Sequence, residues 1–118
     1  MADELIQTFI EEYEGAKDEL NKARYKNSVI LFSKALFAMC DIIIKSKLNK
    51  LPKNHSERFR ILEIYFKEVY IIVDDIFDKY TDSYSKPMLK ETCEAIKNGI
   101  KKISHTEELP AEVKKSIG

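Results

Sequence analysis

Apolar residues recur at helical spacing along nearly the whole chain. Leu5, Ile6, Phe9, Ile10, Tyr13, Ala16 and Leu20 fall three and four apart between about Asp3 and Ala23, with acids on the other face. That is the pattern of an amphipathic helix packed on one side. The next segment differs in kind. From Val29 to Ile44, within YKNSVILFSKALFAMCDIII, only Ser33, Lys34 and Asp41 are polar. A helix over about Lys26 to Leu48 is therefore apolar around most of its circumference and has to be enclosed by other helices. The short join between the two implies an antiparallel hairpin.

Lys47 to Lys53 reads as a loop around Pro52, after which Asn54-His55-Ser56-Glu57 is a helix start. Asn54 can accept from the free backbone N–H groups while Glu57 reaches back, the Asn form of a capping box. A broad stripe follows, with Phe59, Leu62, Tyr65, Phe66, Val69, Tyr70, Ile72, Val73, Ile76, Phe77 and Tyr80, predicting one helix of about six turns. Thr81 to Ser85 breaks it. A fourth helix is predicted from Ser85, with Pro87 tolerated in its first turn, through Leu89, Cys93, Ile96, Ile100 and Ile103. A last short helix opens at Pro110, with Val113 and Ile117 as its apolar contacts.

The expected fold is all-α, an up-down bundle of four long helices plus a short C-terminal helix, forming a single domain over residues 1–118. Ile64, Ile71 and Phe37 lie off the main stripes, so helices two and three are expected to expose more apolar surface than one bundle core uses. A homodimer would cover that surplus.

Composition narrows the picture. Charged residues make up 34% and apolar ones 44%, which excludes an intrinsically disordered chain. Twenty basic and twenty acidic residues cancel, so bulk charge gives no support for a general nucleic-acid or membrane-surface binder. Local charge is uneven. Asp3, Glu4, Glu11, Glu12, Glu14, Asp18 and Glu19 face only Lys17 in the first twenty positions, whereas Lys45, Lys47, Lys50, Lys53, Arg58 and Arg60 face only Glu57 between 45 and 60.

Cys40 and Cys93 sit on predicted helices at no metal or redox spacing and read as reduced packing residues. The N-terminal MADELIQTF lacks a basic n-region and a small-residue cleavage site, so no secretory signal is expected. Lys34 and Asp41 interrupt the longest apolar run, which falls short of the ~20 residues a bilayer needs. No membrane association is expected, and the cytoplasm is the expected compartment.

At the first hairpin, the segment Tyr25 to Asp41, with Ser33, Ala35, Phe37 and Ala38, resembles the HEPN family of small helical domains, whose second helix carries a run like S-x-A-Y-Y-A-x-F. Pro52-Lys53-Asn54-His55-Ser56 is similar to that family's Pro-Lys-Thr-His-Ser before the third helix, and Tyr80 to Ile103 resembles its linker and final helix. The resemblance covers about residues 5 to 103. It implies a dimerising bundle of four or five helices, often beside a nucleotidyltransferase partner, with many members acting as metal-independent ribonucleases. Those use an Arg followed, after four to six residues, by a His. This chain departs from the pattern. At the required distances His105 is preceded by Asn98, Gly99 and Ile100, and His55 by Leu48, Asn49 and Lys50, while Arg24, Arg58 and Arg60 have no His within reach. The resemblance therefore points to a non-catalytic member that binds a protein partner or a nucleotide. The alternative is a ribonuclease with a degenerate site that acts on RNA.

The candidate binding residues are Lys50, Lys53, His55 and Arg58, clustered at the start of helix three where free N–H groups and the helix dipole favour an anion or nucleotide. The bland alternative is a solvated polar loop with His55 as part of the cap. His105 and Lys101 form a possible secondary pair. Asp74, Asp75, Asp78 and Asp82 read as a solvated acidic face more readily than as a metal site. Glu11, Glu12, Glu14, Glu91 and Glu94 lack the Glu-x-x-His motifs of a di-iron bundle. Tyr65, Tyr70, Tyr80 and Tyr84, with Phe66 and Phe77, have helical spacing and read as core rather than as base-stacking platforms. No catalytic residues, metal or cofactor are expected.

Overall fold

The alternation of enclosed and one-sided stripes produces an all-helical molecule. The computed structural model describes residues 2–118, with side chains described from residue 4 onward, so the side chain of Asp3 in the acidic pole falls outside. Among the described residues six helices follow one another: α1 (Ala2–Asn21), α2 (Tyr25–Leu48), α3 (His55–Tyr65), α4 (Lys67–Asp82), α5 (Lys90–Thr106) and α6 (Ala111–Ile117). No strand occurs among the described residues. The radius of gyration is 13.3 Å, that of a compact globule of this length.

α2 is the centre. It packs along α1 and also touches α3, α4 and α5. Val29, Phe32, Ala35, Leu36, Met39, Cys40, Ile43 and Ile44 are buried on it, as its near-continuous apolarity requires. Ser28 is buried as well, and its hydroxyl donates to the Ala16 carbonyl at 2.9 Å, tying the α1–α2 hairpin together. Ala23 takes a left-handed conformation (φ 60°) in the turn between them. α6 folds back on α1 through buried Val113 and Ile117, with buried Leu109 just ahead of it. By length and composition α2 is long and apolar enough to cross a bilayer, more than the interrupted run suggested. In the fold, 72% of its most apolar window is buried against the other helices.

Three features differ from the sequence expectation. The stripe from Asn54 to Tyr80 is two helices, divided at Phe66 (φ −139°, ψ 64°). Backbone bonding continues across the bend, since the Phe66 N–H donates to the Leu62 carbonyl at 2.8 Å and the Phe66 carbonyl accepts from Tyr70 at 2.9 Å. One residue leaves helical geometry, so Ile61 and Leu62 on α3 and Val69, Val73 and Ile76 on α4 are all buried while the two segments point differently. No proline or glycine marks the position.

The second difference is the start of α5, at Lys90 rather than Ser85. Pro87 lies in the connection, and Leu89 is extended (φ −109°, ψ 159°). Proline disfavours helix at the residue before it, Lys86, which is enough to move the start downstream. Third, Phe37 is buried, at 6% exposure, beneath His55, Phe77 and Tyr80. Ile64 and Ile71 are exposed, at 63% and 61%, and so are Tyr65 and Tyr84, at 62% and 58%, which their helical spacing assigns to the core.

Candidate functional site

Two one-turn pairs of side chains meet where α2 faces the start of α3. Phe37 and Asp41 are four apart on α2 and share a face; His55 and Arg58 are three apart on α3 and share another. The cap fixes the second pair. The Asn54 side chain accepts from the Glu57 N–H at 2.9 Å, and the Glu57 carboxylate accepts from the Lys53 N–H at 3.0 Å, one residue earlier than the usual reciprocal partner. His55 is thereby the first residue of α3, with its ring turned toward α2 and α4.

The rings pack on rings and the charges on charges. The His55 imidazole lies edge-on to Phe37 (centroids 4.7 Å apart) and to Phe77 (5.3 Å). Arg58 donates through Nε to Asp41 Oδ1 at 2.8 Å and through NH2 to Asp41 Oδ2 at 3.0 Å, a bidentate pair. Its remaining terminal nitrogen, NH1, lies 2.7 Å from His55 Nδ1. The guanidinium also sits over Phe37, 5.5 Å from the ring centroid. Both charged side chains are mostly withdrawn from water, at 11% exposure for Arg58 and 15% for Asp41.

This geometry sets the state of His55. Arginine can only donate, so Nδ1 accepts and the neutral ring carries its proton on Nε2. Burial, followed by the adjacent Arg58 charge, lowers the imidazole below its usual value of 6.5, with Asp41 opposing. The ring is neutral at physiological pH. Its accepting lone pair is occupied, which leaves no free nitrogen to act as a base.

The cluster floors an open cavity of about 300 Å³ lined by Leu5, Thr8 and Glu12 of α1, Lys34, Phe37, Ala38 and Asp41 of α2, His55 and Arg58 of α3, and Tyr80 of α4. Lys34 is exposed at its rim. Burial, the largest effect, raises the Glu12 carboxyl above its ordinary range, and Lys34 partly offsets it. Tyr80 shares a hydrogen bond with Tyr84 (3.1 Å between hydroxyl oxygens), and that bond together with burial pushes its phenol up to about 12.

The four residues expected to form an anion site thus divide. His55 and Arg58 face inward and bond each other, while Lys50 and Lys53 remain exposed in the preceding loop. His105 and Lys101 are both exposed on α5, away from the cavity lining. Asp41 was missed as a site residue, although its signal is present: a lone carboxylate in an apolar helix has to find a cation. Cys40 and Cys93 are free and buried, and burial drives the Cys40 thiol up to about 12. No group of three or more His, Cys, Asp or Glu side chains arranged for a metal occurs among the described residues.

No protein-family model matches the chain, and no curated protein or solved structure matches it either.

Proposed function

We propose that this chain is a non-catalytic, cytoplasmic, HEPN-like domain, an up-down helical bundle that works as a homodimeric binding module. Its partner is a protein such as a nucleotidyltransferase, or a nucleotide held by the exposed Lys50 and Lys53 beside the internally paired His55 and Arg58. The observation that carries the non-catalytic part is the commitment of Arg58. All three of its guanidinium nitrogens are engaged within the chain, by Asp41 and by His55. A ribonuclease that relies on an Arg–His pair needs that cation free to stabilise a phosphorane-like transition state and the imidazole free to move a proton. Here each group is occupied by the other.

The exposed isoleucines Ile64 and Ile71 support the binding part, because large apolar side chains in water are stabilised when another surface covers them. The acidic residues of α1 and the exposed lysines of the α2–α3 loop give a protein partner charged surfaces to complement.

One observation favours the second reading, a degenerate ribonuclease: the fold does bring an Arg and a His to 2.7 Å, in reversed chain order. Incubation with single-stranded RNA in EDTA separates the two. No cleavage above a buffer control is expected. Cleavage that disappears in His55→Ala or in His105→Ala would overturn the non-catalytic reading. Titration with ATP, followed by heat of binding, tests the nucleotide arm.

A further inference from the structure

The surface between α4 and α5 is built differently from the polar cavity. Gly99 lets the two helices approach closely: a Cβ there would lie 2.6 Å from Ile76 Cδ1 and 3.1 Å from Ile72 Cγ2. Beside this contact runs an open groove of about 420 Å³, with Ile71, Ile72, Asp75 and Ile76 on the α4 wall and Ala95, Asn98, Gly99 and Lys102 on the α5 wall. Ile71 stands on its rim, 61% exposed. The walls carry opposite charges. Asp75 is exposed on α4, bonded only loosely to Lys79 at 3.4 Å, and Lys102 is exposed on α5 with no ion pair among the described residues.

We propose that this groove seats a second copy of the same chain, related by a two-fold axis running along the helices. That operation lays α4 of each copy on α5 of the other. Ile71 of each copy enters its partner's groove, and Asp75 of each faces the partner's Lys102. The surface is self-complementary because one wall is acidic and the other basic: any contact made once across a two-fold is made twice. A groove with like charges on both walls would repel its own copy. The zero formal net charge adds no long-range repulsion between copies. This inference rests on the homodimeric part of the proposed function and specifies its surface.

Sedimentation equilibrium of the full chain over the micromolar range is the test, with circular dichroism confirming that each variant folds. Ile71 is exposed, so Ile71→Glu keeps the fold while placing a charge in the apolar groove; dimer dissociation is expected to rise by at least about tenfold. Asp75→Lys and Lys102→Asp each weaken the dimer, and the double reversal restores it. Two results overturn the proposal. A dimer indifferent to Ile71→Glu and not restored by the double reversal means that the copies meet elsewhere, and the homodimeric reading then survives without this surface. A monomer at every concentration removes both.

Discussion

Arg58 and Asp41 are each held by the other, and the consequence is asymmetric. Removing Arg58 alone leaves Asp41 mostly out of water with no countercharge, whereas removing both charges leaves an apolar contact between α2 and α3. Arg58→Ala is therefore expected to lower unfolding stability by about 2–3 kcal/mol, below the loss for a fully buried pair because both groups keep some exposure. The double variant Arg58→Met with Asp41→Leu should recover most of that loss. Urea denaturation of Arg58→Met, Asp41→Leu and the double variant measures the coupling directly.

His55 gives the same corner of the molecule a pH dependence. Its folded pKa lies below the 6.5 of a free imidazole, so between those values the unfolded chain binds more protons than the folded one. The stability it contributes is present above pH 6.5 and is lost as pH falls toward the folded value, when an imidazolium would face Arg58. Asp41 opposes this loss. Glu12 across the cavity acts in the other direction, since its raised pKa favours proton uptake in the folded state as pH falls. The difference between wild type and His55→Gln isolates the imidazole: the wild type should lose more stability between pH 7 and pH 5, as read from urea midpoints. Equal slopes in the two proteins would show that His55 is not held as described.

At the level of elements, the start of α3 carries its own signature. Asn54 satisfies a backbone donor that the helix leaves open, so Asn54→Ala is expected to cost about 1 kcal/mol and Asn54→Ser far less. Thermal melts of the two variants compare them. That start was legible in the sequence because a cap depends on side chains three residues apart. The enclosed character of α2 was legible for a similar reason: an unbroken apolar run has one physical solution in water. The division at Phe66 was not. Its neighbours keep helical spacing and the backbone bonds continue through it, so only the direction in which α3 and α4 meet the rest of the core requires the bend. The Asp41–Arg58 pair joins residues seventeen apart on two helices, and sequence spacing alone cannot show which cation a buried carboxylate will reach. His55 was legible as a residue of interest, but its role depends on a ring orientation that only the packed Phe37, Phe77 and Tyr80 determine.

The whole molecule places its polar cluster and its apolar groove on different combinations of helices: α1, α2, α3 and α4 around Arg58, and α4 with α5 around Gly99. α4 is shared, so association through the groove acts on a helix that also lines the cavity. If folding and pairing are linked, the melting temperature depends on protein concentration, because mass action favours the associated state. For a dimer of this size that stays paired until it unfolds, each tenfold rise in concentration should raise the midpoint by about 3 °C. Ile71→Glu should move the onset of that dependence to at least about tenfold higher concentration while leaving the dilute midpoint close to that of wild type, since the side chain it replaces is exposed in the single chain. Arg58→Ala should do the reverse, lowering the midpoint at every concentration without changing its slope, because the charge pair lies inside one chain. Scanning calorimetry over two decades of concentration distinguishes the two patterns. A flat wild-type midpoint would show that the groove does not pair two copies up to the unfolding transition, and would count against the two-fold contact through Ile71.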